Sequence, residues 1–193
     1  MCRGSMLSVA ALAALAVRVA AASTVLEVGA CPNVTTVPDL NLQELTGKWY
    51  HILHFPSEDE PFGACTQSIY NYTDGNLEVF TEGLDFAGSD IISVGVLGKL
   101  KDSPSEALQL DLDGMPPLSV WVAYTDYTSL LCLYSCTSFP GLRVDWAWAL
   151  TRTRHPQPRL MLRCRSKLRN LGVNAAKFER IPQNDVVCKE NRS

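Results

Sequence analysis

The sequence predicts an all-β fold, an eight-stranded antiparallel up-and-down β-barrel with one external C-terminal α-helix and a short ninth strand. Three observations lead there. Short runs of alternating or β-branched residues recur from about residue 47 to residue 152, broken by Gly, Asp, Asn and Pro. The breaks have hairpin chemistry: Asp74-Gly75-Asn76 separates two runs, and Asp113-Gly114 with Pro116-Pro117 separates two others. A single segment, Pro158 to Leu171, changes the hydrophobic period from that of a strand to that of a helix.

Taken in order, the chain opens with "MCRGSM" and then "LSVAALAALAVRVAAAS", a small, apolar stretch without an acid. Residues 1–23 read as a secretory signal peptide cut after Ala22 or Ser23, because Ala20 and Ala22 supply the small side chains a signal peptidase needs. A membrane-spanning helix needs about 20 uninterrupted apolar residues, and Arg18 breaks the run. Residues 24–193 are then one domain of 170 residues, enough to bury a substantial core. Strands are expected near 47–55, 65–73, 76–82, 90–100, 107–112, 118–126, 129–136 and 142–152. In the helical segment Met161, Cys164, Leu168 and Leu171 share one face, Arg163, Lys167 and Arg169 fall largely elsewhere, and Gly172 is a natural stop. A ninth strand at about 176–181 and a tail carrying Cys188 follow. Eight strands with one late amphipathic helix describe a closed barrel with the helix laid on its wall.

Composition narrows the function. The leader holds two of the 17 basic residues and none of the 20 acidic ones, so its removal moves the net charge from −3 to 15 − 20 = −5. A mildly acidic chain is a poor partner for nucleic acid. Cys2 leaves with the leader, and the six cysteines that remain read as disulfides of an exported chain rather than as metal ligands or catalytic thiols. The glycosylation sequons at Asn33, Asn71 and Asn191 fit the same route.

Gly47-Lys48-Trp49 on the first strand, Thr125-Asp126-Tyr127 at a late hairpin and Arg152 at the end of "DWAWALTR" occur in order, with "CPNV" ahead of the first and "LYSC" after the second. On these motifs the chain resembles the lipocalins, in particular the group of apolipoprotein D, the insect bilin-binding proteins and the crustacyanins, from about Cys31 to Cys188. The resemblance implies that Trp49 plugs the closed end of the barrel and that Arg152 lies across its indole near the turn at 125–127. A guanidinium on a tryptophan face is worth about 0.5–2 kcal/mol and can still donate to carbonyls. Gly47 lets the entering chain approach closely. Gly47, Trp49, Thr125, Asp126, Tyr127 and Arg152 are therefore expected to close the barrel without touching cargo.

Two parity arguments pick inward side chains. A glycan does not fit inside a small barrel, so a glycosylated Asn71 points out and the strand period of two turns Tyr70 and Tyr72 inward. The resemblance also places a pocket residue at Tyr70. With Arg152 at the inner floor, the same period sends Leu150, Trp148 and Trp146 inward, and Trp148 matches a cavity-lining tryptophan of the apolipoprotein D group. These five residues are expected to line a ligand site, with an indole N–H or phenol fixing a polar end. The alternative is core filling, since eight-stranded barrels either fill their interior or hold one small ligand.

The resemblance implies disulfides Cys31–Cys136 and Cys65–Cys188. It leaves Cys132 and Cys164. Cys132 shares a strand face with Cys136, which must face outward to meet the N-terminal arm, and Cys164 lies in the apolar stripe of the helix. The two can meet outside the barrel, and crustacyanin has a cysteine in the matching "C-x-Y-S-C". Two free buried thiols are the alternative.

Other chemistry is weakly supported. His51 and His54 are three apart on a strand, which should put them on opposite faces, and His155 is in a loop. Asp111 and Asp113 share a strand face but read as solvated rim carboxylates, and Glu58-Asp59-Glu60 as a solvated loop at the open mouth. Val28-Gly29-Ala30-Cys31 fails as a lipid-attachment box because Glu27 interrupts the apolar stretch. No nucleophile elbow, zincin or phosphate-loop motif occurs. The expected function is that of a secreted carrier of a small hydrophobic ligand: a lipid, sterol, retinoid, carotenoid or bilin, held non-covalently. Two alternatives are a barrel enzyme acting on a lipid, with Cys65 as nucleophile, and a protein that binds surfaces or glycosaminoglycans through Arg159, Arg163, Arg165, Lys167 and Arg169. No metal, cofactor, nucleic acid or integral membrane span is expected; oligomers and contact with a membrane or lipoprotein surface are further options for partners.

Overall fold

The computed structural model describes residues 26–57, 60–99 and 106–188. The leader at 1–23, Glu58, Asp59 and the sequon at Asn191 lie outside the described residues. The strands are β1 (Leu26–Val28), β2 (Gly47–His54), β3 (Ala64–Thr73), β4 (Asn76–Leu84), β5 (Asp90–Lys99), β6 (Leu108–Leu112), β7 (Leu118–Thr125), β8 (Leu130–Phe139), β9 (Leu142–Thr151) and β10 (Glu179–Arg180), with one helix, α1 (Pro158–Asn170). Consecutive strands from β2 to β9 pair antiparallel, and β9 also pairs with β2, which closes eight strands into a barrel. β1 adds to β9 and β10 adds to β2 outside that ring.

The eight barrel strands fall where alternation predicts them. The sharp β3–β4 connection shows why: Asp74 and Gly75 both have positive φ, 50° and 87°, the conformation of a two-residue hairpin turn whose twist matches its strands. The ends of the chain are less regular. The expected ninth strand is reduced to the two residues of β10 behind a 3-10 turn at Ala175–Lys177, and β1 was not foreseen. Both are too short to carry a period.

α1 begins at Pro158, whose missing N–H costs nothing in a first helical turn. Beyond its end Gly172 takes φ 81°, and the N–H groups of Gly172 and Val173 return to the carbonyls of Arg169 and Leu168. The stripe of Met161, Cys164 and Leu168 packs on the outer wall over β7 and β8, against Leu53, Tyr134 and Ala149. A second apolar layer fills the lower barrel with Trp49, Tyr70, Leu97, Leu131 and Leu150. Three cysteine pairs tie the N-terminal arm, the tail and the helix to the barrel: Cys31 to Cys136, Cys65 to Cys188 and Cys132 to Cys164, with Cα separations of 5.9, 5.3 and 5.8 Å.

One irregularity matters for the site. Along the β2–β9 ladder His51 opposes Leu150 and Leu53 opposes Ala149, so Ile52 is an extra residue. Such a bulge resets the alternation of the strand beyond it.

Candidate ligand-binding site

The closed end is built on main-chain contacts. Trp49 is fully buried and donates from Nε1 to the Leu45 carbonyl at 2.8 Å. The Arg152 guanidinium lies 3.7 Å above its ring and donates to the carbonyls of Tyr127, Lys48 and Glu44. Gly47 has φ 96°, a conformation that favours glycine, and a Cβ there would press on Arg152 Nη1 at 3.2 Å. At the adjoining turn Thr125 Oγ1 accepts from the Tyr127 N–H, and the Asp126 carboxylate accepts from the Ser129 hydroxyl and from the N–H groups of Ser129 and Leu130. Burial pushes the Asp126 pKa up, but these donors, with Thr128, outweigh it and hold the acid below its ordinary value.

Above this floor the barrel encloses a cavity of about 330 Å³ that opens at the other end. Its wall is largely aliphatic, with Val79, Leu97, Leu110, Val120 and Leu133 among the lining. Polar side chains interrupt it in a row across neighbouring strands: His51 on β2, Ser68 on β3, Thr81 on β4 and Ser93 on β5. His51 Nε2 and Ser68 Oγ are 2.7 Å apart, as are Ser68 Oγ and Thr81 Oγ1. Burial, with a smaller contribution from His54, pushes the His51 pKa down to about 3, so the ring is neutral at physiological pH. At the mouth Trp148 Nε1 donates to the Glu60 carboxylate at 3.1 Å, His54 Nδ1 lies 3.2 Å from the same group, and Trp146 Nε1 donates to Ser57 Oγ at 3.1 Å.

Mouse apolipoprotein D is 31% identical to this chain over 156 residues, covering 78% of the chain and 80% of that protein. The chain is a lipocalin. Insecticyanin-B of Manduca sexta is 26% identical over 147 residues, covering 72% of this lipocalin and 71% of the relative. Among solved structures, insecticyanin from the tobacco hornworm superposes with a TM-score of 0.72 at 22% identity, over 86% of this chain and 93% of its own. H1 crustacyanin from the lobster Homarus americanus superposes with a TM-score of 0.76 at 19% identity, over 84% and 93%. No family model matches the sequence.

The geometry sorts the expected site residues of this lipocalin. Tyr70, Trp146 and Trp148 line the cavity. Leu150 points inward but is fully buried in the floor beside Trp49, below the cavity. Tyr72 departs from expectation: it is 42% exposed and absent from the lining. Tyr70 already stands opposite Gly47, where β2 begins, so a residue two places further along β3 has passed the floor and the period of two no longer leads it into the barrel. Asn71 and Asn33 are exposed.

His51 and His54 also depart from the parity argument. With Ile52 bulged, His54 becomes the direct cross-strand partner of Trp148 and shares its inner face, while His51 lines the cavity one step deeper. Counting by twos from the sequence cannot detect a bulge. Even so, among the described residues no group of three or more His, Cys, Asp or Glu is placed to hold a metal ion. Asp111 and Asp113 do not share a face: Asp111 pairs with Val96 and accepts from Gln109 beside it, whereas Asp113 lies past the end of β6 and joins the cavity rim. Glu60, read as solvated, is mostly buried at the mouth. Nothing in the local sequence marks it, because its partners come from β2 and β9.

Proposed function

We propose that this lipocalin is secreted and carries one small hydrophobic molecule in its barrel without altering it. The observation that carries the reading is the cavity itself, open at one end, closed by Trp49 at the other, and lined mainly by aliphatic and aromatic side chains. Its volume of about 330 Å³ is within the usual range of small-molecule pockets. Burying an apolar ligand there returns about 25 cal/mol per Å² of apolar area. The relatives support a binding role, and three disulfides fit an oxidising compartment.

The alternatives have less behind them. Cys65 is bonded to Cys188, outside the lining, so it is not an available nucleophile. Of the basic residues on α1, Arg163 donates to the Tyr124 hydroxyl, Arg165 donates to the carbonyls of Ala175 and Phe178, and Lys167 lies over the Tyr124 ring. Arg165 is thereby tied to the segment after the helix, and Arg163 and Lys167 rest on Tyr124, while Arg159 and Arg169 are exposed. Among the described residues no helix is long and apolar enough to cross a membrane.

Titration of tryptophan fluorescence with apolar ligands tests the carrier reading. Saturable quenching is expected, and Trp148→Ala should weaken it by about several-fold to tenfold, on the scale of one lost aromatic contact. Equal affinity in parent and variant, with unchanged circular dichroism, would make Trp148 core filling.

A further inference from the structure

We propose that the cavity selects an elongated apolar molecule carrying an uncharged oxygen, an alcohol or a ketone, and rejects the carboxylic acid of the same skeleton. This rests on the carrier reading and adds a head group to it. Among the described residues the lining includes two acids, Glu60 and Asp113, and neither a lysine nor an arginine. Arg152 is not a substitute, because it is stacked on the Trp49 indole that closes the floor and donates to three carbonyls. His51 supplies no cation either, being held neutral by burial. A carboxylate brought into the cavity would lose hydration worth several kcal/mol, find no lysine or arginine among the described lining residues and face two acids.

The polar groups that remain suit a neutral oxygen. The indole N–H groups of Trp146 and Trp148 are already given to Ser57 and Glu60, which leaves the His51, Ser68 and Thr81 row, continued by Ser93 on β5, and the Tyr70 phenol as the uncharged polar groups of the wall. His51 and the hydroxyls of Ser68 and Thr81 bond one another in series, so rotation of the hydroxyls can present either a donor or an acceptor. A neutral imidazole keeps the same freedom through its two tautomers. An alcohol or ketone needs one such partner, and nothing in the row demands a charge.

Retinol, retinoic acid and retinylamine share a skeleton and differ in the head group, so their dissociation constants, read by tryptophan quenching near neutral pH, isolate it. Retinol should bind about tenfold or more tighter than retinoic acid. Glu60→Gln should let the acid gain on the alcohol, and Thr81→Val, nearly the same shape without the hydroxyl, should weaken retinol more than retinoic acid. Retinoic acid binding as tightly as retinol would overturn the head-group inference while leaving the carrier reading in place. Retinylamine binding tighter than retinol would overturn it too, by making the two acids the recognition element. If neither the retinoids nor the neutral dye Nile red bound at all, the carrier reading would fall and the inference with it.

Discussion

The floor and the mouth of this barrel each use a tryptophan whose N–H is satisfied, and they use it differently. At the floor Trp49 donates to the Leu45 carbonyl, and its ring lies under an arginine that gripped carbonyls of three separate segments hold in place. At the mouth Trp148 donates to the Glu60 carboxylate, which it shares with His54. Main-chain acceptors are fixed by the sheet and turns around them. Side-chain acceptors can turn away at the cost of a rotamer, on the order of a kcal/mol. One end is therefore built to stay shut, and the other can adjust to a guest.

The largest expected consequence is at the floor. Trp49→Ala should cost about 3–5 kcal/mol, the range for emptying a buried aromatic site, seen as a fall in the denaturant midpoint. A loss under about 1 kcal/mol would put Trp49 on a par with an ordinary surface residue and erase the contrast between the two ends.

Next comes acid, acting where the two ends meet. The His51 pKa is pushed from 6.5 to about 3 in the folded chain, so between those values the unfolded chain binds the extra proton. The stability contributed by the neutral ring is present above about pH 6.5 and is lost as the pH falls toward 3. At about 1.4 kcal/mol per unit, a few kcal/mol are at stake. Urea midpoints measured from pH 7 to 4 should fall faster in the parent than in His51→Gln; parallel curves would mean that the ring is reached by water and titrates normally.

Smaller effects sharpen the comparison. Arg152→Lys keeps the charge but loses the planar stack and the forked donors, and should cost about 1–2 kcal/mol. Trp148→Phe keeps one aromatic ring and removes the N–H to Glu60 together with the second ring of the indole. It should change stability by about 1 kcal/mol or less while altering ligand affinity, as the adjustable end requires. A stability loss from Trp148→Phe that exceeded that from Arg152→Lys would reverse the assignment of which end is rigid.

Much of this architecture is legible in the sequence. Strand alternation, clear in β5, reflects a wall with one face toward the interior and one toward solvent, a demand written locally in every second residue, whereas β8 is buried on both faces from Leu130 to Cys136. The Asp74-Gly75 turn and the Gly172 stop are local too, since they depend on which residues tolerate a positive φ. The parity that sent Tyr70, Trp146 and Trp148 inward worked because no bulge intervenes between those residues and their reference points.

What depended on distant partners could be decided only by the tertiary structure. The Ile52 bulge arises where β2 leaves β3 and turns to β9 and β10, and it alone brings His54 to the inner face beside Trp148. Tyr72 is exposed because the barrel floor falls between it and Tyr70, a limit set by where β2 begins. Glu60 is an acid in a loop until Trp148 of β9 and His54 of β2 converge on it. The sequence therefore determined the barrel and which strands face which way, because those follow from short-range periodicity. The polar chemistry of the cavity, a neutral histidine row within and an acid at the mouth, came from contacts between residues far apart in the chain, which no local period encodes.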